Sequence, residues 1–170
     1  MEDDFEALRR RMEFDQQRFP LEEQARQARE SGDLAQAAAF WSKSLELARR
    51  AGEDTSRWYV EGQLADVLVE SGQIVEAKKL LETSLAAGND IPFAHSLLVN
   101  IYMNEGAFHD AFRVRHDSWR SVSERAQRNG MPPLDPSAQI VGLAKWWKDT
   151  GSEEPIALAE KCGQSSRPWL

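Results

Sequence analysis

The sequence has a single cysteine, no long apolar run and no basic start. Cys162 alone cannot form an intramolecular disulfide, so a reducing compartment is the default expectation. No apolar stretch approaches the roughly 18 residues that a membrane-spanning helix needs. The first residues, Met1 to Asp4, are acidic where a secretory signal would be basic. These absences predict a cytoplasmic protein with no membrane partner.

An excess of basic residues is also missing. The net charge is -7 and the isoelectric point is near 5.1, whereas phosphate binding depends on clustered lysine and arginine. The densest arginine cluster, between residues 113 and 128, is interrupted by Asp117 and Glu124. This pattern is typical of a solvated helix face. We therefore expect no nucleic-acid partner.

Catalytic signatures are missing as well. The sequence has no glycine-rich phosphate loop, no Gly-x-Ser-x-Gly elbow and no His-Glu-x-x-His motif. The best candidates are the pairs His109-Asp110 and His116-Asp117. Seven residues of helix span about 10.5 Å, which is too far for both imidazoles to bind one metal ion at ~2.1 Å. We predict no enzymatic activity, no metal site and no cofactor.

What the sequence does contain is a repeat. A glycine is followed by an apolar residue two positions on, an alanine five on, a serine twelve on and a large apolar residue thirteen on. The three copies are Gly32, Leu34, Ala37, Ser44 and Leu45; Gly72, Ile74, Ala77, Ser84 and Leu85; and Gly106, Phe108, Ala111, Ser118 and Trp119. Apolar residues seven and four positions before each glycine form a second stripe at helical spacing.

Each copy therefore predicts a helix, a short glycine turn and a second helix. The glycine suits the left-handed residue that commonly closes a helix. Small residues on both helices, such as Ala25 and Ala37, would let the two backbones approach closely. Trp41 and Trp119 fall on positions that should be buried in the core.

This antiparallel helix pair resembles the tetratricopeptide repeat. The glycines are separated by 40 and then 34 residues (72 − 32 and 106 − 72), and 34 is the period of that family. The segment 47–57 is predicted to lengthen the second helix of the first unit and its connection by six residues. The resemblance implies an all-α fold, a right-handed α-solenoid of antiparallel helix pairs with an N-terminal helix and a C-terminal capping helix.

Proline residues, which interrupt helices, indicate the boundaries between the segments of the chain. Residues 1–18 are predicted to form an amphipathic helix that Pro20 separates from the repeats. The repeats occupy 19–130, as units at about 19–51, 58–90 and 92–129. Residues 131–162 are predicted to hold a proline-rich linker and capping helices, and 163–170 a frayed tail.

The resemblance implies that the first helix of each repeat lines a concave groove that binds a partner. An aromatic residue stands thirteen positions before each glycine, and mixed polar and apolar residues follow nearer the turn. The candidate groove residues are Phe19, Arg26, Tyr59, Asp66, Phe93, Asn100 and Met103. The alternative for the aromatic residues is a staple onto their own helices. The residues that the family's carboxylate clamps require are not in place.

A second candidate interface lies near the two ends of the chain. Trp146 and its neighbour Trp147 cannot face the same core, because adjacent helix residues point about 100° apart, and tryptophan is enriched at binding hot spots. Trp169 is an apolar residue in a polar tail. Phe5, Leu8 and Met12 form an apolar stripe that could pack within one chain or across a homodimer.

Together these features predict a non-catalytic adaptor or scaffold that docks a protein or peptide segment in the groove. Two alternatives remain open at this stage. One is a secretion-type repeat chaperone that holds a substrate protein, and the other is a regulatory sensor that responds to a peptide. The identity of the partner does not follow from the residues.

Overall fold

A computed structural model describes residues 2–132, without the side chains of residues 2–4, 7 and 109. Every regular element in this part is an α-helix, which confirms the all-α prediction. The helices are α1 (Glu2–Glu30), α2 (Leu34–Ala51), α3 (Asp54–Glu70), α4 (Ile74–Ala86), α5 (Pro92–Asn104) and α6 (Phe108–Arg128). The predicted capping helices and tail lie outside the described residues.

The chain divides into two compact units, Met1–Ala94 and His95–Leu170. The first contains α1 to α4 and the start of α5. The described part of the second contains the rest of α5 and α6. None of the helices between residues 2 and 132 combines the length and the apolar character that crossing a bilayer requires.

The three repeat glycines close the first helix of each pair in the same way. Gly32, Gly72 and Gly106 have φ of 82°, 81° and 73°, in the left-handed region that costs other residues about 1–2 kcal/mol. Each glycine N–H donates to the carbonyl three residues back, and the next residue's N–H donates to the carbonyl five back. The predicted role of the glycines is confirmed.

The core of the first unit is built from small and large residues in alternation. Ala25 on α1 and Ala37 on α2 are fully buried and belong to the same buried cluster. Glu22 contacts Ser44 and Arg11 contacts Glu53, so α2 runs antiparallel to α1. The buried cluster also includes α3 and consists of Ala25, Ala28, Ala37, Trp41, Leu45, Val60, Leu64 and Val67.

The predicted break at Pro20 is wrong, because α1 is one helix of 29 residues with this proline inside it. A proline in a helix interior removes one backbone hydrogen bond, here the bond to the carbonyl of Gln16. Both Gln16 and Pro20 are exposed, so water can reach that carbonyl. Packing of Phe14 and Arg18 before the proline and Ala25 after it holds both halves in one helix.

The first unit was predicted to be longer in both its second helix and the connection that follows, and only the first part of this prediction is confirmed. The second helix is longer, since α2 has 18 residues and α4 has 13. The connection after α2 is not longer, because only Gly52 and Glu53 separate it from α3. Gly52 ends α2 with a left-handed φ of 68°. Asp54 then starts α3, earlier than the predicted boundary at residue 58, with its carboxylate favourably placed in the first turn.

The second unit has its own buried residues. They are Leu97, Leu98, Val99, Ile101 and Tyr102 from α5, and Ala111, Phe112, Val114 and Trp119 from α6. Trp119 is 6% exposed and Trp41 is 1% exposed, so the prediction that both belong to the core is confirmed. Arg115, at the position that Trp41 and Leu81 fill in the earlier copies, is half-buried.

Candidate binding face

Two of the predicted groove aromatic residues, Tyr59 and Phe93, belong to the first unit. Phe93 packs over Gly62 of α3, so closely that a Cβ atom at Gly62 would lie 3.2 Å from the Phe93 Cδ1 atom. Tyr59 lies one helical turn before Gly62 and therefore on the same face of α3. Tyr59 is 38% exposed and Phe93 is 41% exposed. The absence of a side chain at Gly62 lets the Phe93 ring lie against the face of α3 that also carries Tyr59.

The α1 side of this surface carries Phe19 and Arg26. The two are seven residues apart and share one face of the helix. Phe19 is 53% exposed. A hydrogen bond to Glu23 raises the pKa of Arg26, and the nearby Tyr59 contributes in the same direction. We call Phe19, Arg26, Tyr59, Asp66 and Phe93 the binding face.

An ion-pair bridge joins α1 to α3 beside this face. Arg29 lies 2.7 Å from Asp66 Oδ2 through its Nη1 atom and 2.7 Å from Glu70 Oε2 through its Nε atom. Partial burial lowers the pKa of Arg29, but the bonds to Asp66 and Glu70 outweigh it and raise the pKa above its usual value. Asp66, predicted to be a groove residue, is therefore already paired within the chain.

Two aromatic residues of the face contact neighbouring side chains, but not as the staple alternative predicts, because Trp41 belongs to α2 and Phe19 lies inside α1 rather than at its start. The Tyr59 ring meets Trp41 edge-on, with ring centroids 6.1 Å apart. The Arg18 guanidinium lies 4.5 Å from the centre of the Phe19 ring. These contacts fix the rings, yet all three aromatic residues stay more than a third exposed. A ring can therefore be held by contacts within the chain and still be accessible to a partner.

The remaining predicted groove residues belong to the second unit. Asn100 is exposed and Met103 is half-buried, both on α5. Asn100 and Met103 are therefore not included in the binding face, which is defined within the first unit.

The predicted second interface is only partly within the described residues. Phe5, Leu8 and Met12 are exposed by 72%, 56% and 55%. Because α1 continues through Pro20, these residues lie on the same helix as Phe19 and in line with it. Trp146 and Trp169 lie outside the described residues.

Two buried polar pairs were not predicted as pairs. The Ser44 hydroxyl donates to Glu22 Oε1 at 3.3 Å, and the Ser84 hydroxyl donates to Glu61 Oε2. Glu22 is 3% exposed and Glu61 is 4% exposed. The serines were visible in the sequence as part of the repeat. The glutamates were not, because they stand ten and eleven residues before their glycines (32 − 22 and 72 − 61) and so break the common spacing.

Arginines complete both pairs. Arg18 donates to Glu22 at 2.5 Å and also reaches Asp15, while its Nε atom is buried without a hydrogen-bond partner. Glu61 lies 3.3 Å from Arg49 Nη2. Each buried carboxylate thus has one serine and at least one arginine beside it, as burial of a charge requires.

Of the two histidine pairs, the structure describes both side chains only for His116-Asp117. His116 Nδ1 lies 3.6 Å from Asp117 and its ring packs 5.8 Å from that of Trp119. Asp110 pairs with Arg113. Between residues 2 and 132, no three histidine, cysteine, aspartate or glutamate side chains converge as a metal site would need.

Comparison of the chain with protein-family models, curated proteins and solved structures found no match.

Proposed function

We propose that this protein is a non-catalytic binding module, an adaptor or scaffold subunit that docks a segment of a protein partner on the binding face. The observation that carries the proposal is the set of exposed aromatic residues Phe19, Tyr59 and Phe93. They occupy the same position relative to the three repeat glycines, on α1, α3 and α5. Repeated exposure of large aromatic side chains at one position is unusual for a purely solvated surface and common at binding hot spots.

The charges of the face favour an apolar contribution to affinity. Arg26 is paired with Glu23, and Arg29 with Asp66 and Glu70. A partner charge would have to compete with these internal pairs. Aromatic rings held by neighbours lose little entropy on binding. We therefore propose that apolar side chains of the partner dock against Tyr59 and Phe93, and that binding depends only weakly on salt.

The proposal extends to architecture and location. The helix pairs closed by identical glycine turns support a tetratricopeptide-like stack with the right-handed solenoid arrangement of that family. The single cysteine fits a reducing compartment, and we propose a cytoplasmic location.

The experiment is a quantitative affinity capture from the source cells with three forms of the protein. They are the native chain, the double variant Tyr59→Ala/Phe93→Ala and the control Val75→Ala. Val75 is 75% exposed on α4, a helix that contributes no residue to the binding face. Circular dichroism melting establishes that all three are folded. A captured protein is then divided into overlapping synthetic peptides, whose affinities are measured by fluorescence anisotropy.

We expect a peptide that binds the native chain and Val75→Ala equally, and the double variant at least about tenfold more weakly, since loss of a hot-spot aromatic costs ≥ ~2 kcal/mol. Equal binding to all three forms would assign the partner to another surface. Capture of nothing beyond a blank resin would remove the basis for an adaptor role.

A further inference from the structure

The exposed apolar side of α1 continues from Phe19 of the binding face towards the start of the helix. Phe5, Met12 and Phe19 are seven residues apart, and Leu8 stands three after Phe5. Each of the four is more than half exposed. We call them the α1 stripe. Spacings of three, four and seven are those by which two helices pack together as a coiled coil.

The stripe is a separate side of the helix from the one that packs on α2. Phe14, Arg18 and Ala25 are buried on the α2 side. Arg11, which contacts Glu53 at the end of α2, marks where that pairing ends. The first turns of α1 therefore extend beyond α2, and a second helix can approach them without meeting it.

We infer that the α1 stripe is a homodimer interface, in which it packs against the same stripe of a second copy. In a two-fold pair of helices the stripe of each copy faces the same stripe of the other, so four exposed apolar side chains per copy can be buried against each other. The exposed charges beside it are of both signs, with Arg9 and Arg10 near Glu6 and Glu13. Two copies that approach each other through this surface are therefore not repelled by a large patch of one charge.

The area that the α1 stripe can bury is small for a protein interface. Phe5 to Phe19 spans about 21 Å of helix at 1.5 Å per residue. The exposed parts of four large side chains present roughly 400–500 Å² per copy, and a standard interface takes about 800 Å² per partner. The dimer is thus at the small end of specific interfaces, and we expect reversible association with a dissociation constant in the micromolar range.

Analytical ultracentrifugation between roughly 1 and 300 μM tests this inference on the full chain. The forms compared are the native protein, Leu8→Glu and the control Val75→Glu, which adds the same charge to an exposed apolar position of α4. We expect the native protein and the control to move from 19.3 kDa towards twice that mass as concentration rises. Leu8→Glu should associate at least about tenfold more weakly, because each dimer loses two apolar contacts and gains two buried charges.

A native protein that stays monomeric at 300 μM overturns the inference and leaves the stripe to a different partner. Equal association of Leu8→Glu and the control assigns the dimer to another surface. If Leu8→Glu is not folded by circular dichroism, a second variant decides. Met12→Cys in a Cys162→Ser background should form a disulfide-linked dimer on mild oxidation, and Val75→Cys in the same background should not. Phe19 belongs both to the α1 stripe and to the binding face, but none of these variants changes a residue of the binding face. Peptide binding by Leu8→Glu, compared with that of the native chain, therefore distinguishes failure of the dimer from failure of the proposed function.

Discussion

Replacement of the two repeat serines should have unequal effects on stability. Ser44 and Ser84 occupy the same position in two repeats and are 0% and 2% exposed. Ser44 makes one long bond, to Glu22, which Arg18 also holds. Ser84 donates to Glu61 and at the same time accepts from the Asn89 side chain at 2.8 Å. The same change of one oxygen atom therefore removes one weak bond in the first pair and two bonds in the second.

The magnitudes follow from these contacts. A hydrogen bond to a charged group contributes about 1.5–3 kcal/mol and a neutral one about 1 kcal/mol. Ser84→Ala should lower the free energy of unfolding by about 2–4 kcal/mol, since it leaves both the Glu61 carboxylate and the Asn89 amide short of a partner. Ser44→Ala should cost only ~1 kcal/mol, because the bond is long and the Glu22 carboxylate keeps its arginine.

Urea unfolding followed by circular dichroism measures the difference. Ser42→Ala is the matched control, since its hydroxyl is exposed and bonds only to the Ala38 carbonyl of its own helix. That substitution should change stability by less than about 0.5 kcal/mol. If Ser44→Ala costs as much as Ser84→Ala, the second bond to Ser84 has no energetic weight and the reasoning is refuted.

Three further predictions concern single sites. Gly72→Ala should destabilise the protein by ~1 kcal/mol in thermal unfolding, because the φ of Gly72 is 81° and the left-handed backbone disfavours a side chain even where no atom would contact the new methyl group. Gly72→Asn should cost less. Equal stability of Gly72→Ala and the native protein would contradict this prediction. Trp41→Ala should cost about 3–5 kcal/mol by the same method, since the side chain is 1% exposed, and a loss under about 1 kcal/mol would place it outside the core. The hydrogen bond from Arg26 lowers the pKa of Glu23 below its usual 4.5. The small stabilising effect of this pair is therefore present above pH 4.5 and is lost as the pH falls. Carboxyl NMR titration should show a higher pKa of Glu23 in Arg26→Gln than in the native protein, and an unchanged pKa would exclude the pair.

The helices and their turns could be predicted from the sequence because local rules determine them. Gly32, Gly72 and Gly106 are followed by helices with apolar residues at the same offsets, and each has the left-handed backbone that its position indicates. Trp41 lies in the core for the same reason, since helical periodicity places it on the buried side.

The predictions that failed or were not made depend on contacts between helices. Pro20 is a local breaker, and the packing that holds α1 together on both sides of it does not appear in the local sequence. Gly62 has helical backbone angles, and only the approach of Phe93 explains why it lacks a side chain. Glu61 resembles any solvated glutamate until α4 brings Ser84 against it.

The candidate site was predictable as a set of residues but not as a surface. Phe19, Tyr59 and Phe93 were found by their common offset from the glycines. Their exposure and the packing of Phe93 against Gly62 became visible only in the packed helices. The pairing of Asp66 with Arg29 likewise changes its role from a candidate for partner recognition to a link between α1 and α3.

The continuity of α1 through Pro20 restricts how this part of the gene can change in length. One residue inserted between Met12 and Phe19 would rotate every earlier side chain by about 100° about the helix axis, so that Phe5 and Leu8 would no longer line up with Phe19. An insertion of seven residues, two nearly complete turns, would lengthen the helix by about 10.5 Å and leave the alignment almost unchanged. Homologous chains in which this helix differs in length should therefore differ from it by multiples of about seven residues, whereas the loops should vary without such a rule.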